Sequence, residues 1–259
     1  MAAFPILAKL YSRHKLKEFC RQLITALRHI IFWTVPAIGL LIVLRAHIVR
    51  VILGSGEFDW SDTRLTAAAL ALFTISLTAQ AIDLLLIRAF YAGGDTRTPF
   101  FISVASATAA LVMALVFYQL YTNLPQVATA FANLMRVGSV VGAEVLILPF
   151  SYALALCFKL IVLLFCIRHR FQLSLGWLRV HLARAFSSAL SGALATYFTL
   201  RLLSGLIDIN TLPGVFAQGL IAGVVGIIVI GMAYYLTGAP ELAEVCQSFR
   251  LRLDRKPSD

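Results

Sequence analysis

Apolar residues fall into six long blocks along this chain, separated by short polar connectors. The blocks cover about Leu23–Leu44, Leu65–Ile87, Phe100–Tyr121, Val145–Ile167, Leu182–Leu203 and Val215–Leu236. Each holds roughly 20 residues, enough at a rise of about 1.5 Å per residue to cross a hydrocarbon core. Backbone amides in lipid must be satisfied within their own segment, and blocks this long are too long for barrel strands, so all six are expected to be helices. Ahead of the first block, Leu16, Phe19, Cys20, Leu23, Ile24 and Leu27 recur at helical spacing, with Lys15, Lys17 and Arg21 between them. That pattern fits a basic amphipathic helix at the membrane surface feeding the first span, with an ordinary juxtamembrane linker that has no binding role as the alternative. Phe4–Leu7 precedes the basic cluster instead of following it, so it reads as a helix end and not a secretory signal. The expected fold class is all-α, a polytopic integral membrane protein with six transmembrane helices. A six-helix domain over residues 23–244 is flanked by residues 1–22 and by a basic tail, 245–259.

Composition sharpens this. Of 259 residues, 60% are hydrophobic and 13% charged, with a mean hydropathy of +0.88, which excludes an ordinary water-soluble globule. The net charge of +10 would suit nucleic acid, but 16 of the 22 basic residues lie on the side that holds the N-terminus. The opposite loops hold Arg50, Arg64 and Arg136 together with Glu57, Asp59, Asp62, Glu144 and Asp208. This asymmetry places both termini in the cytoplasm and accounts for the charge with the bilayer as partner and no nucleic acid. Cysteines 20, 157, 166 and 246 show no CxxC spacing, and the histidines do not pair at metal-ligand spacing. No hydrolase, zinc-protease or phosphate-loop motif is present, so no catalytic residue, metal or cofactor is expected and the chain reads as a non-enzyme.

Three ionisable residues interrupt the apolar blocks: Asp83, Lys159 and, near the outer end, Arg201. A charge at the bilayer centre costs about 2.5 to 3.5 kcal/mol on insertion scales, so each is a candidate for a cavity, a partner or a transport path. Either Asp83 and Lys159 meet across the bundle, lining a polar path or joining helices, or each snorkels separately toward headgroups. Arg201 fits an interfacial anchor, and its guanidinium fork also suits a lipid phosphate or pyrophosphate.

The connectors add local detail. After the first block, the Gly54–Thr63 turn offers Ser61 or Asp62 as a helix cap and Trp60 as an interfacial aromatic. After the second, Arg88-Ala89-Phe90-Tyr91-Ala92-Gly93-Gly94-Asp95-Thr96-Arg97-Thr98-Pro99 predicts a compact hairpin. Its glycines allow a tight reversal, Asp95 or Thr96 caps, and Pro99 sits in the first turn of the next helix. Residues 126–135 suit a short interfacial helix. Pro149 either kinks the fourth span or marks its true start, Pro36 reads as a kink, and Pro240 as a helix stop.

The segment RAFYAGGDTRTP resembles the RxFYAxxDTxTP signature of the MviN/MurJ family, the lipid II flippases of bacterial peptidoglycan synthesis. Its matching residues are Arg88, Phe90, Tyr91, Ala92, Asp95, Thr96, Thr98 and Pro99. Phe4-Pro5-Ile6-Leu7 is similar to the family's FPxLS helix ending, and Val35–Leu40 with Ile48-Val49-Arg50 and Gly56-Glu57-Phe58 to its VPxxxGL…IVxxxxGxFD span and turn. The likeness is clear over about Phe4–Ile102. It implies the carboxyl-terminal lobe of a flippase of the MOP superfamily, corresponding to the last six of fourteen helices. It also implies a bacterial inner-membrane location and a lipid-linked peptidoglycan precursor as substrate; Asp83, Arg88, Lys159 and Arg201 are this chain's own candidates for a transport path. A separately supplied amino-terminal lobe is the implied partner, since the family's cationic cavity draws most of its charged residues from the part not represented here. The final two helices are implied to form a groove for the undecaprenyl tail. Ser187, Ser188, Ser191 and Gly192 in the fifth block, with Gly219, Gly223 and Gly226 in the sixth, predict close helix packing. Two functions of different class stay open: a lobe of a precursor transporter, or a structural, assembly or inactive fragment that does not transport.

Overall fold

The computed structural model describes residues 3–54, 58–138, 140, 142–173, 176–207 and 211–244. The expectations for residues 55–57, for Asp208 and for the tail at 245–259 fall outside the described residues. Among those described there are nine α-helices and no strand: α1 Ala3–Ser12, α2 Leu16–Leu53, α3 Trp60–Ile75, α4 Leu77–Ala92, α5 Arg97–Asn123, α6 Pro125–Met135, α7 Ile147–Phe171, α8 Gly176–Leu203 and α9 Leu212–Leu236. A single 3-10 turn, Ala143–Leu146, leads into α7.

Among the described residues, α2, the α3–α4 pair, α5, the unit 143–171 and α9 are long and apolar enough to cross a bilayer, five candidate spans against the expected six. The fifth block, Leu182–Leu203, lies in α8, a continuous 28-residue helix about 42 Å long. Its apolarity is diluted by Arg184, Arg201 and a run of serines and glycines. Packing compensates, because α8 is sandwiched against α2 and α9, with Ser188 and Thr196 fully buried.

The second block is not one helix. It breaks at Ser76, where the hydroxyl of Ser76 donates to the Phe73 carbonyl at 2.7 Å and that of Thr74 to Leu70 at 2.7 Å. Side chains that bond back to carbonyls a turn earlier loosen the helix ladder. Just beyond the break, the Gln80 side-chain amide donates to Ser76 Oγ at 2.7 Å, and the Thr78 hydroxyl donates to Thr34 Oγ1 of α2 at 2.8 Å.

The amphipathic segment and the first span form one helix of 38 residues, α2, which passes its expected end at Leu44 and carries Arg45 and Arg50. Pro36 lies inside it without ending it. Proline has no N–H, so the Phe32 carbonyl four residues earlier loses its helical donor. The buried hydroxyl of Tyr234 on α9 donates to that carbonyl at 2.9 Å, and the Tyr234 ring stacks on Phe32 at 4.3 Å.

Several connector expectations take definite form. The short interfacial helix is α6, with Pro125 at its start. Pro149 stands in the first turn of α7 and so marks its start, at Ile147, two residues later than the apolar block suggested. The cap of α3 is Asp59, not Ser61 or Asp62: Asp59 accepts from the Asp62 amide at 2.9 Å, and Asp62 returns a bond to the Asp59 amide at 3.2 Å. After α9, Gly238 turns the chain at φ +60°, and Pro240 opens a helical turn over 240–244. That turn is tied to α2 by Arg28–Glu241 at 2.8 Å and His29–Glu244 at 2.9 Å.

The largest core lies at the basic end of the bundle. Leu7, Phe19, Leu23, Leu86, Phe90, Leu163 and Ile167 are essentially inaccessible there and join α1, α2, α4 and α7. By contrast α5 buries only Pro99 and Ser106. Its outward Phe101, Leu111 and Leu115, about two-thirds exposed, would be a liability in water and are ordinary contacts in hydrocarbon.

Candidate functional site

The hairpin between α4 and α5 is held from both sides. Gly94 has φ +74°, a conformation that favours glycine. At Gly93 a β-carbon would come within 2.9 Å of the Phe171 ring, so the glycine lets α7 approach. Asp95 accepts from the Thr98 amide at 3.0 Å and from the Thr98 hydroxyl at 2.8 Å, and Arg170 at the end of α7 pairs with it. The Thr98 amide first, then the Thr98 hydroxyl and the Arg170 guanidinium, hold the Asp95 carboxyl below the usual carboxylate range. Capping of α5 thus falls to Asp95; Thr96 occupies the cap position with no side-chain bond. Phe90 is buried against Phe171, whose ring lies 5.0 Å from Phe19. Pro99 is buried in the first turn of α5, Ala92 is half-buried, and Tyr91 is exposed. Most of the signature is therefore a fastening of α4, α5 and α7.

Asp83 on α4 and Lys159 on α7 meet. Lys159 Nζ lies 2.8 Å from Asp83 Oδ2, and the two side chains are 10% and 14% exposed, so neither snorkels to a headgroup. Asp83 follows the break at Ser76 by two helical turns, and Lys159 sits on the facing side of α7 among small residues such as Ala155. The second carboxylate oxygen, Asp83 Oδ1, is buried without a partner. Both residues line a cleft of about 610 Å³ between α4, α5 and α7, together with Gln80, Ser103, Ser106 and Tyr152. Ser106 crosses from α5 to the Ala155 carbonyl of α7 at 3.1 Å. A paired charge with one spare acceptor, set in a mostly apolar cleft with a few polar groups around it, can receive a hydrogen-bond donor or a cation while Lys159 offsets the charge of the carboxylate.

Arg88 lies one turn beyond Asp83, half-buried, and does not line the cleft. Arg201 is remote from both: it lines a separate cavity at the opposite end with Arg50, Trp60 and Gln218. The four path candidates thus divide into a joined pair and two cations set apart from it. Gly219 and Gly223 face α2, where added β-carbons would lie 3.3 Å from His47 and 3.4 Å from Leu44. Gly226 is wedged between Thr196 of α8 and Leu40 of α2, and Gly192 against Ile230 of α9. The close packing expected of α8 and α9 therefore takes in α2 as a third member. Sequence reasoning missed Gln80, Ser106 and Tyr152 in the cleft. The polar spacing of Ser76, Gln80 and Asp83 was a usable signal, whereas the other two needed the fold. No group of residues able to hold a metal occurs among the described residues.

Comparison with known proteins places this architecture. A solved structure described as lipid II flippase MurJ in an inward closed conformation superposes with a TM-score of 0.60 over 91% of this chain and 43% of that one, at 20% identity, which establishes the fold. The lipid II flippase MurJ of Thermosipho africanus is 28% identical over 122 residues, 47% of this chain and 26% of the relative. A "Probable lipid II flippase MurJ" of Rickettsia prowazekii is 31% identical over 102 residues, 39% of this chain and 20% of the relative. This chain accordingly spans about a quarter or less of the curated relatives it matches and under half of the solved one. The family model described as "Lipid II flippase MurJ" matches residues 1–217. Apolar spanning helices, the fastened RAFYAGGDTRTP hairpin and this match make the chain a multi-pass bacterial membrane protein that belongs to the lipid II flippase MurJ family.

Proposed function

We propose that this chain is the carboxyl-terminal lobe of a transporter that moves a polyprenyl-pyrophosphate-linked peptidoglycan precursor across the bacterial cytoplasmic membrane. The family membership supports the substrate class, and the Asp83–Lys159 cleft is the observation that carries a transport role for this lobe. An ion pair that merely stapled two helices would be expected to close its surroundings, and here it borders a mostly apolar cleft of about 610 Å³ in which the pair, Gln80, Ser103, Ser106 and Tyr152 are the polar groups. On this reading the chain acts with an amino-terminal lobe, both termini lie in the cytoplasm, and no bond is made or broken. Complementation of a flippase-depleted strain tests it. Growth is expected when the chain is expressed with an amino-terminal lobe and not when it is expressed alone. Failure in both arms at normal membrane levels would favour the non-transporting role. Labelling a cysteine placed at the exposed Arg97 with a membrane-impermeant reagent tests the topology, and reaction from outside the cell would invert it.

A further inference from the structure

At the end of the bundle opposite the RAFYAGGDTRTP hairpin, α2, α8 and the start of α9 enclose a second cavity of about 440 Å³. Arg50 in the last turn of α2 and Arg201 in the last turn of α8 both line it. No acidic residue does, and neither arginine has a carboxylate partner among the described residues. The nearest described acids in sequence, Asp59 and Asp62, are committed to each other in the cap of α3. Arg50 is held in place by Trp60, whose ring centroid lies 4.9 Å from the guanidinium carbon, a cation–π contact that leaves the fork's edge free. Behind the arginines, Gln218 donates its amide to the Leu200 carbonyl at 2.8 Å, which turns its oxygen toward His47 Nε2 at 3.2 Å. His47 therefore donates from Nε2, and its buried Nδ1 has no partner.

Helix C-terminal dipoles explain a cation at each helix end. They do not explain two unpaired arginines converging on one acid-free cavity. Two guanidinium forks suit the oxygens of a phosphate. Val43 and Ala46 give the same cavity an apolar wall, and Trp60 and Tyr197, each about half exposed, are the amphipathic aromatics of a membrane interface. A small soluble anion would need only the forks. A lipid phosphate with its chains uses the apolar wall as well.

We propose that this cavity is a binding site for the phosphate of an anionic membrane phospholipid, gripped between Arg50 and Arg201 with the acyl chains passing over Val43 and Ala46. The site is separate from the Asp83–Lys159 cleft and does not depend on transport.

Trp33→Phe and Trp177→Phe in the full chain leave Trp60 as the sole reporter. In phosphatidylcholine nanodiscs carrying a minor fraction of brominated lipid, brominated phosphatidylglycerol is expected to quench Trp60 with about tenfold higher apparent affinity than brominated phosphatidylcholine. The pair Arg50→Gln and Arg201→Gln is expected to bring the two lipids level. Equal quenching in the parent, or a preference that survives the pair of substitutions, would overturn the site. Loss of the preference on adding millimolar inorganic phosphate would mark a small-anion site and overturn the lipid assignment. If the doubly substituted chain does not fold, Arg201→Gln alone, at an exposed position, must still weaken the preference, and an unchanged one refutes the proposal.

Discussion

Replacing Asp83 by asparagine strands the Lys159 ammonium in a position only 10% exposed. At 2.8 Å and an effective dielectric of about 20, the lost attraction is about 6 kcal/mol, against which Lys159 recovers part by relaxing into the cleft. Breaking one side of a buried pair typically costs about 3 to 5 kcal/mol. At about 2 to 4 °C per kcal/mol for a chain of this size, the unfolding midpoint should fall by about 6 to 20 °C. Unfolding can be followed with a thiol-reactive dye, because Cys20, Cys157 and Cys166 are free and half-covered. Replacing both partners, Asp83→Leu with Lys159→Met, removes the stranded charge and should restore the midpoint to within about 2 °C of the parent. The double replacement also separates the two roles: a pair that only joins helices should leave complementation intact in the stable double variant, and a pair on the transport path should abolish it. A midpoint unmoved by Asp83→Asn would refute the reasoning, since it would mean that water already solvates Lys159.

Tyr234→Phe orphans the Phe32 carbonyl and should cost about 1 to 3 kcal/mol in the same dye assay; combined with Pro36→Ala, which returns the helical donor, the cost of losing the hydroxyl should largely vanish. Gly226→Val forces a branched side chain between Thr196 and Leu40 and should cost about 1 to 3 kcal/mol, with cysteine crosslinks between α8 and α9 forming more slowly. Asp95 has a depressed folded pKa, so its contribution is complete above its unfolded value, about 3.9, and is lost as pH falls through the lower folded value. Midpoints of the parent should therefore drop below about pH 4 relative to those of Asp95→Asn, the two curves converging in acid; parallel curves would refute the hairpin assignment.

The spanning helices were readable because lipid imposes a simple rule, about 20 apolar residues per crossing. The rule failed where other forces acted. Leu182–Leu203 looks like its neighbours as a block, yet its serines and glycines serve contact with α2 and α9, so packing substitutes for apolarity. The break at Ser76 was hidden because Thr74 and Ser76 are individually tolerable in a helix, and only their hydroxyl bonds to preceding carbonyls reveal the loosened turn. Asp83 and Lys159 were visible as anomalies. Their meeting was one of two readings the sequence offered, and the choice between it and separate snorkelling depends on the rotation of α4 against α7, which only the fold shows. Gln218 and His47 gave no signal at all.

A carbonyl of α2 completed by a hydroxyl of α9 has a mechanical meaning. Sliding or parting these two helices in a medium without water would leave an oxygen bare, a loss of several kcal/mol that no lipid tail can make good. They are thus obliged to travel together, with α8 clasped to both by its glycine seams. Flexing within this lobe is directed elsewhere, to the loosened joint at Ser76, which stands directly above the charged pair.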